Sequence, residues 1–272
     1  FPGAGLEARE IVCFGSGKTR EEFYRDSPLY TSPEIEEAVR ALAERHTGGE
    51  PVAYLIGEWE FYGLTLEVTP AVLIPRADTE VLAEAAVEFA GRMEKCRLLD
   101  LCTGSGCVGL AAAVNVPDCR VLLGDISEKA LEVCRRNVRR CGLMDRVKAD
   151  RLDALTPPPA SIGTFQCITC NPPYITCGEM EELDRSVKDF EPHLALCGGE
   201  DGLDFYRAIV RNWKAALTEG GRMYFEVGAG QADAVLRLMQ SGGFADVNIL
   251  PDTQGTGRVV YGTAPERNND DS

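Results

Sequence analysis

Short apolar runs recur along most of the chain, and after Thr79 they alternate with segments of helical length. Short, nearly continuous apolar runs are typical of strands that are buried on both faces. Their alternation with helices predicts an α/β fold with a mostly parallel sheet. The sequence predicts seven strands: Arg97 to Leu101, Arg120 to Gly124, Arg146 to Ala149, Phe165 to Cys170, Arg222 to Val227, Val247 to Leu250 and Arg258 to Thr263.

The first fifty residues have a different pattern, with helical periodicity and little strand character. Ser32 followed by Pro33 indicates a helix start, because serine caps helix N-termini and proline suits the first helical position. Gly48-Gly49 indicates where that helix ends. We therefore predict a small N-terminal helical domain over residues 1–50.

The segment between this domain and the sheet contains two extended stretches, Trp59 to Tyr62 and Leu64 to Val68, on either side of Gly63. A glycine between two such stretches predicts a β-hairpin. The C-terminal end is polar, and we expect it to be disordered. The resulting division is a helical domain over 1–50, a hairpin linker over 51–75, an α/β domain over 76–264 and a tail over 265–272.

Composition narrows the classes of protein. The 272 residues are 44% apolar, enough for one sizeable core and a small satellite domain. A formal charge of −15 opposes a large nucleic-acid interface, which needs a concentrated cationic surface. The arginines within residues 135–140 are interpreted as a solvated helix face.

No apolar run approaches the roughly 20 residues that cross a bilayer. We expect a cytoplasmic monomer.

The eleven cysteines do not follow the spacing of a disulfide framework. They are interpreted as reduced thiols that serve as small core residues. Cys167 and Cys170 form a lone CxxC, so a zinc site is an alternative to simple alternation within a strand. Because there is no second CxxC and the chain has only two histidines, alternation is favoured and no metal is predicted.

A loop of small residues from Asp100 to Gly106 directly follows the first of the seven strands and opens a helix. Small residues let a cofactor approach the backbone, and the helix N-terminus offers free N–H groups. With Gly109 the loop also reads GxGxxG, so NAD is one candidate. The loop positions predicted to contact the cofactor are Asp100, Cys102, Thr103, Gly104, Ser105 and Gly106.

Three aspartates favour S-adenosylmethionine over NAD. Asp100 places a carboxylate at the loop, where it suits a cationic amino group and would repel a pyrophosphate. Asp125 ends the second strand, where its oxygens suit the two hydroxyls of a ribose. Asp153 follows the third strand and suits an adenine amino group. Helix or turn capping remains an alternative for Asp125 and Asp153.

The tetrapeptide Asn171-Pro172-Pro173-Tyr174 ends the fourth strand. The side-chain oxygen of Asn171 and the carbonyl of Pro172 can accept both hydrogens of a planar –NH2 group. Neither proline has an N–H that would compete for these acceptors, and Tyr174 supplies a flat face for an amide or a base. An ordinary turn at the end of a strand is the alternative. The pattern predicts a site that holds a planar amine for methylation.

These motifs resemble a known family, the class I methyltransferases that modify a glutamine of peptide-chain release factors. The resemblance covers nearly the whole chain and includes the segments 73–80, 190–196 and 198–206. It implies a Rossmann-like sheet, S-adenosylmethionine as the methyl donor and the glutamine of a Gly-Gly-Gln motif as the acceptor. By the same resemblance, the helical domain helps to dock the release factor, and Asn171 to Tyr174 form the glutamine pocket.

Two positions depart from the family's pattern, and two others have more than one interpretation. Cys102 stands where the family usually has a glycine, so its backbone is expected to avoid a conformation that only glycine tolerates. Ala154 stands where a larger residue often borders the adenine. Arg76 and Glu80 are interpreted either as part of the substrate channel or as a salt-bridged helix start.

Three other functions remain alternatives at this point. An adenine-N6 DNA methyltransferase would use the same tetrapeptide, but no DNA-reading insert is visible. A glutamine methyltransferase that acts on a ribosomal protein is closer, and the segment 75–80 favours the release-factor branch. A non-catalytic donor-binding module is the third alternative, which the intact Asn171 argues against.

Overall fold

The computed structural model describes residues 4–26 and 31–266. Within this part of the chain, the N-terminal region consists of four helices and a two-stranded antiparallel hairpin. The predicted cap is present, since the Ser32 side chain accepts a hydrogen bond from the Ile35 N–H. The elements are α1 (Ala4–Ser16), α2 (Arg20–Asp26), α3 (Pro33–Thr47), α4 (Val52–Ile56), β1 (Glu58–Phe61) and β2 (Leu64–Glu67).

The short helix α4 was not predicted, because a five-residue segment is too short to show helical periodicity. Tertiary packing stabilises it: the side chains from Val52 to Leu55 are buried. The Tyr54 hydroxyl also donates a hydrogen bond to the Val72 carbonyl at 2.6 Å.

The main sheet has the seven strands that the sequence predicts. They are β3 (Cys96–Leu101), β4 (Cys119–Asp125), β5 (Val147–Arg151), β6 (Phe165–Cys170), β7 (Leu217–Glu226), β8 (Ala245–Pro251) and β9 (Gly257–Thr263). Their spatial order is β5-β4-β3-β6-β7-β9-β8. Strand β9 runs antiparallel to both β7 and β8, and the other neighbours in the sheet are parallel. This is the Rossmann-like methyltransferase sheet that the resemblance implies.

Helices cover both faces of this sheet. One core contains residues of α5, α6 and α7, and a second core contains residues of α9 and α10. Leu98 packs into the first core and Leu99 into the second, as expected for successive residues of a strand. The helices are α5 (Glu80–Gly91), α6 (Cys107–Asn115), α7 (Glu128–Arg140), α8 (Arg185–Lys188), α9 (Asp204–Trp213) and α10 (Ala232–Ser241).

The two cysteines of the CxxC lie on opposite faces of β6. Cys167 belongs to the first core and Cys170 to the second, and both are fully buried. Side chains on opposite faces of a sheet cannot bind one ion together, so alternation within the strand explains the pair. Among the described residues, no group of three or more His, Cys, Asp or Glu is placed to hold a metal.

The hairpin packs against α7. The Asn137 side chain is fully buried and exchanges hydrogen bonds with the backbone N–H and carbonyl of Glu67. Arg136 and Arg140, which were expected to be solvated, remain partly exposed and also form ion pairs with Glu67 and Glu58. Exposed ion pairs add little stability, so the buried Asn137 mainly fixes how the hairpin sits on α7.

Across the described parts of the chain, 4–26 and 31–266, no helix is long and apolar enough to span a bilayer. Residues 267–272, most of the predicted tail, lie outside the described residues.

Candidate functional site

A cavity of about 430 Å³ lies at the carboxyl ends of the parallel strands. In open α/β sheets, ligands bind at this edge, where the strand order reverses. Here β4 and β6 lie on either side of β3, so the reversal occurs beside the glycine loop. The predicted residues that line the cavity are Arg76, Asp100, Cys102, Thr103, Gly104, Ser105, Asp125, Asp153, Ala154, Asn171 and Pro173.

The glycine loop turns sharply between β3 and α6. Gly104 and Gly106 have positive φ angles of 55° and 88°. Cys102 also has a positive φ, 56°, so the expectation that its backbone avoids the glycine-like region was wrong. A single non-glycine residue tolerates this region at a cost of roughly 1–2 kcal/mol. The Thr103 N–H donates to the Gly124 carbonyl at 3.1 Å, which ties the strained turn to the neighbouring strand.

The Asp100 carboxylate was expected to be open at the loop, but the structure buries it. Only 2% of the residue is exposed. Its carboxylate accepts hydrogen bonds from the Thr103 and Thr169 hydroxyls and from the Gly109 N–H. Burial raises the pKa of this carboxyl to about 6, although the three hydrogen bonds oppose the shift. Asp100 therefore holds the loop in shape as well as contributing negative charge to the cavity.

Asp125 is fixed by backbone groups on both of its oxygens. One oxygen accepts from the Gly104 N–H and the other from the Ser127 N–H, each at 2.9 Å. The cap of α7 is Ser127, whose side chain accepts from the Ala130 N–H, so Asp125 does not cap this helix. The bond from the Ser127 N–H is nevertheless that of an Asx turn, so the turn alternative is present for Asp125. Burial raises the pKa of Asp125, and the backbone hydrogen bonds oppose the shift. The carboxylate is preorganised at the edge of the cavity.

Asp153 and Ala154 line the cavity beyond β5. One Asp153 oxygen accepts from the Leu155 N–H at 2.9 Å, as in an Asx turn. The structure therefore contains the turn that was the alternative interpretation of Asp153. The second carboxylate oxygen of Asp153 can still accept a hydrogen bond from a ligand. The Ala154 carbonyl accepts from the buried Trp213 indole at 3.0 Å, which fixes the backbone at this wall.

Asn171 follows β6 and lines the same cavity as the glycine loop. Its Nδ2 donates a hydrogen bond to Thr79 Oγ1 at 3.4 Å. Pro173 also lines the cavity, whereas Pro172 and Tyr174 do not. The Tyr174 carbonyl accepts from the Gln231 side chain at 2.9 Å, which anchors the end of the tetrapeptide. Burial raises the pKa of the Tyr174 hydroxyl to about 12.

Arg76 lines the cavity and forms an ion pair with Glu191. Glu191 is buried and also accepts from the Ile74 N–H at 3.2 Å. Glu80 lies outside the cavity lining, and its carboxylate accepts from the Tyr62 N–H at 3.0 Å. The salt bridge therefore joins Arg76 to the segment after the tetrapeptide rather than to the start of α5.

Sequence reasoning missed several residues of this region. Thr79 and Phe205 line the cavity, and Glu226 is buried at the end of β7, next to β6. Glu226 could have been found, because a charged residue that ends an apolar strand lies at the same edge of the sheet as Asp125 and Asn171. Thr79 carried no comparable signal, since it precedes α5 and reaches the site only through folding.

Two family models match the chain. A methyltransferase small domain matches residues 78–188, which include the glycine loop and the tetrapeptide. A PrmC N-terminal domain matches residues 1–57.

Whole-length relatives extend this match. A release factor glutamine methyltransferase of Thermodesulfovibrio yellowstonii is 38% identical over 256 residues, covering 93% of this chain and 90% of the relative. The chain belongs to the release factor glutamine methyltransferase family. A member from Moorella thermoacetica is 40% identical, and the match covers 93% of this chain and 89% of that relative. A member from Koribacter versatilis is 37% identical, and the match covers 97% of this chain and 92% of that relative.

Solved structures share the fold of this family member at low sequence identity. The catalytic domain of human Mettl16, solved with an RNA hairpin, gives a TM-score of 0.61 at 13% identity and covers 85% of this chain and 91% of that one. A methyltransferase from Pyrococcus furiosus gives 0.55 at 17% identity and covers 82% and 98%. These likenesses concern the fold alone.

Proposed function

We propose that this chain transfers a methyl group from S-adenosylmethionine to the side-chain amide nitrogen of the glutamine in the Gly-Gly-Gln motif of peptide-chain release factors. One observation carries the assignment of the site. The glycine loop, Asp125 and Asn171 line a single cavity at the carboxyl edge of the sheet. A donor pocket and an acceptor pocket that share one cavity allow direct transfer between two bound molecules.

The residues of the donor half fit S-adenosylmethionine. Each Asp125 oxygen accepts one backbone hydrogen bond, so each keeps capacity for a ribose hydroxyl. At Gly104 a Cβ atom would meet nothing within 4 Å, so the loop leaves open space for a ligand. Asp100 adds negative charge that suits the cationic end of the donor. Asp153 and Ala154 would border the adenine.

S-adenosylmethionine supplies an activated methyl group when it is bound, so the protein's own task is mainly one of positioning. In the acceptor half, the oxygen of Asn171 and the Pro172 carbonyl would accept the two amide hydrogens of the glutamine. Positive charge that builds on the nitrogen strengthens both hydrogen bonds, which favours the transition state over the ground state. Pro173, which lines the cavity, would form a wall that holds the amide plane and excludes water. Tyr174 lies outside the lining, so the ring would have to turn toward the cavity to add a second wall.

Arg76 would border the path by which the glutamine enters. Its side chain remains 43% exposed while it pairs with the buried Glu191. Glu80 would act less directly, because it holds the backbone of the hairpin turn at Tyr62. The helical region over residues 1–50 would dock the body of the release factor, with the segment 51–75 as the connection to the catalytic domain.

Incubation of the protein with S-adenosylmethionine and purified release factor tests the proposal. Mass spectrometry is expected to find one added methyl group on the glutamine of the Gly-Gly-Gln motif. A release factor in which alanine replaces this glutamine is expected to remain unmodified. Modification of a ribosomal protein or of duplex DNA, with the release factor unmodified, would contradict the proposal and identify the alternative acceptor.

A further inference from the structure

A buried carboxyl group that the proposed reaction does not yet use lies beside Asn171. Strands β6 and β7 are parallel, and Cys170 pairs in register with Phe225. Asn171 and Glu226 are therefore the next residues on two adjacent strands. Glu226 is 3% exposed, and its Oε2 atom has no hydrogen-bond partner among the described residues. Burying a carboxyl group with unused acceptor capacity costs stability, so a functional reason for Glu226 is expected.

Thr79 connects Glu226 to Asn171. Thr79 is 2% exposed, and its hydroxyl oxygen accepts from Asn171 Nδ2 at 3.4 Å. Burial raises the pKa of the Glu226 carboxyl to about 7. Hydrogen bonds from the Thr79 and Asn171 side chains act in the opposite direction and lower this pKa. A hydroxyl that accepts from the amide still has its own hydrogen to donate to the carboxylate.

This arrangement decides which way the Asn171 side chain faces. When the Glu226 carboxylate is ionised it can only accept hydrogen bonds, which favours the NH2 group as the end of the Asn171 amide that lies nearest to it. The oxygen lies on the opposite side of the planar amide. Since Asn171 lines the cavity, that oxygen is the atom available to an acceptor nitrogen there.

We propose that Glu226 is a positioning residue that acts directly and through Thr79 to hold the Asn171 amide with its oxygen toward the substrate glutamine. The proposal rests on the function proposed above for Asn171. A freely rotating asparagine would present its NH2 group to the substrate amide part of the time. Two NH2 groups that face each other cannot hydrogen-bond, so such a rotamer would not align the nitrogen for transfer.

The orientation should depend on pH. Above the Glu226 pKa the carboxylate accepts from Asn171 and Thr79, and below it the protonated carboxyl can donate to the Asn171 oxygen instead. We expect kcat to fall as the pH drops below about 7. Other ionisable or charged groups also act electrostatically on Glu226 or respond to its charge: Asp78, Arg258, Tyr174, Cys107 and Tyr206.

The decisive variant is Glu226→Gln, which keeps the shape of the side chain but can both donate and accept. At saturating donor, kcat is expected to fall by about tenfold to a hundredfold, in line with a loss of alignment. The affinity for S-adenosylhomocysteine, measured by calorimetry, should stay within about twofold because the donor half is untouched. The fall of kcat on the acid side should disappear from the pH profile, which a purely structural role would not produce.

Thr79→Val gives an independent test that keeps the buried carboxyl. It removes the connecting hydroxyl without changing the shape of the side chain, so kcat should fall in the same direction. Thr263→Val is the matched control. Thr263 Oγ1 is buried, has no hydrogen-bond partner among the described residues and lies on β9, outside the cavity lining. If Glu226→Gln does not fold, as judged by circular dichroism, Thr79→Val decides the proposal.

The outcomes separate this proposal from the function on which it rests. If Asn171→Ala is inactive while Glu226→Gln, or Thr79→Val in its place, keeps the wild-type kcat and pH profile, the positioning role of Glu226 is wrong. If Asn171→Ala itself keeps wild-type activity, the proposed role of Asn171 fails first. In the Asn171→Ala background, Glu226→Gln should cause no further loss, because the group that it orients is gone.

Discussion

The proposed donor and acceptor halves of the cavity are built in different ways. In the donor half, both oxygens of Asp125 are held by backbone N–H groups at 2.9 Å. In the acceptor half, the Asn171 side chain donates a long hydrogen bond to Thr79 Oγ1 at 3.4 Å and lies beside Glu226, whose Oε2 atom has no hydrogen-bond partner among the described residues. Backbone hydrogen bonds hold the first half. The second half depends on side-chain rotamers and, through the positioning role proposed for Glu226, on the protonation of that carboxyl.

This difference predicts that donor binding and methyl transfer can be separated by mutation. Changes in the donor half should alter affinity for the donor, and changes in the acceptor half should alter the rate at saturating donor. The following experiments test that separation, from the largest expected effect to the smallest.

Asn171→Ala should reduce kcat for release-factor methylation by about a hundredfold or more, because the acceptor amide loses one of its two orienting hydrogen bonds. The dissociation constant for S-adenosylhomocysteine should remain within about twofold, since donor contacts lie in the other half. Radiolabelled methyl incorporation and calorimetry measure the two quantities. A large loss of donor affinity would show that the halves are not separable.

Asp125→Ala should weaken donor binding by about 1.5–3 kcal/mol per lost charged hydrogen bond. The rate should recover at high donor concentration, which distinguishes this variant from Asn171→Ala. Asp153→Ala is the comparison within the same half, and its effect should be smaller because one oxygen serves an Asx turn. Unchanged affinity in folded Asp125→Ala protein would remove this residue from the donor site.

Gly109→Ala should lower the free energy of unfolding by about 1–3 kcal/mol through overpacking. A Cβ atom at Gly109 would lie 2.2 Å from Leu123 Cδ2, so either the buried Leu123 side chain or helix α6 would have to shift. Gly91→Ala is the control, because a Cβ atom there meets nothing within 4 Å at the end of α5. Urea unfolding of both variants measures the difference, and equal stability would contradict the close approach of α6.

The pH dependence of the free energy of unfolding should show the effect of the buried Asp100 carboxyl. Its native pKa of about 6 lies above the ordinary value of 3.8, so the folded state binds the proton more tightly than the unfolded state does. The free energy of unfolding should therefore fall as the pH rises between these two values. In ligand-free Asp100→Asn protein this fall should be smaller, as measured by urea unfolding at several pH values. Asp145→Asn, at an exposed position, should keep the wild-type slope.

Local pattern alone was enough for much of the architecture. Strand β6 was predicted with its observed ends, Phe165–Cys170, because a run of apolar residues closed by Asn-Pro-Pro leaves few alternatives. The loop at Gly104, Asp125 and Asn171 was likewise found at strand ends, and the parallel sheet brings strand ends to one edge. Periodicity therefore indicated that these residues lie at one edge of the sheet, and the observed strand order brings them to one cavity.

Tertiary structure decided what depends on contacts between distant segments. The sequence did not show that Asp100 is buried under two threonine hydroxyls, that Cys102 adopts a positive φ, or that α4 forms. Thr79 and Glu226 meet Asn171 across 92 and 55 positions of the chain, by their residue numbers. Hydrogen bonds and burial among such residues depend on which of them are neighbours in the folded chain, so their spacing along the sequence does not reveal these contacts. The sequence by itself indicated the edge of the sheet where the candidate site lies, and only the packed sheet decided that Thr79 and the buried Glu226 lie beside its asparagine.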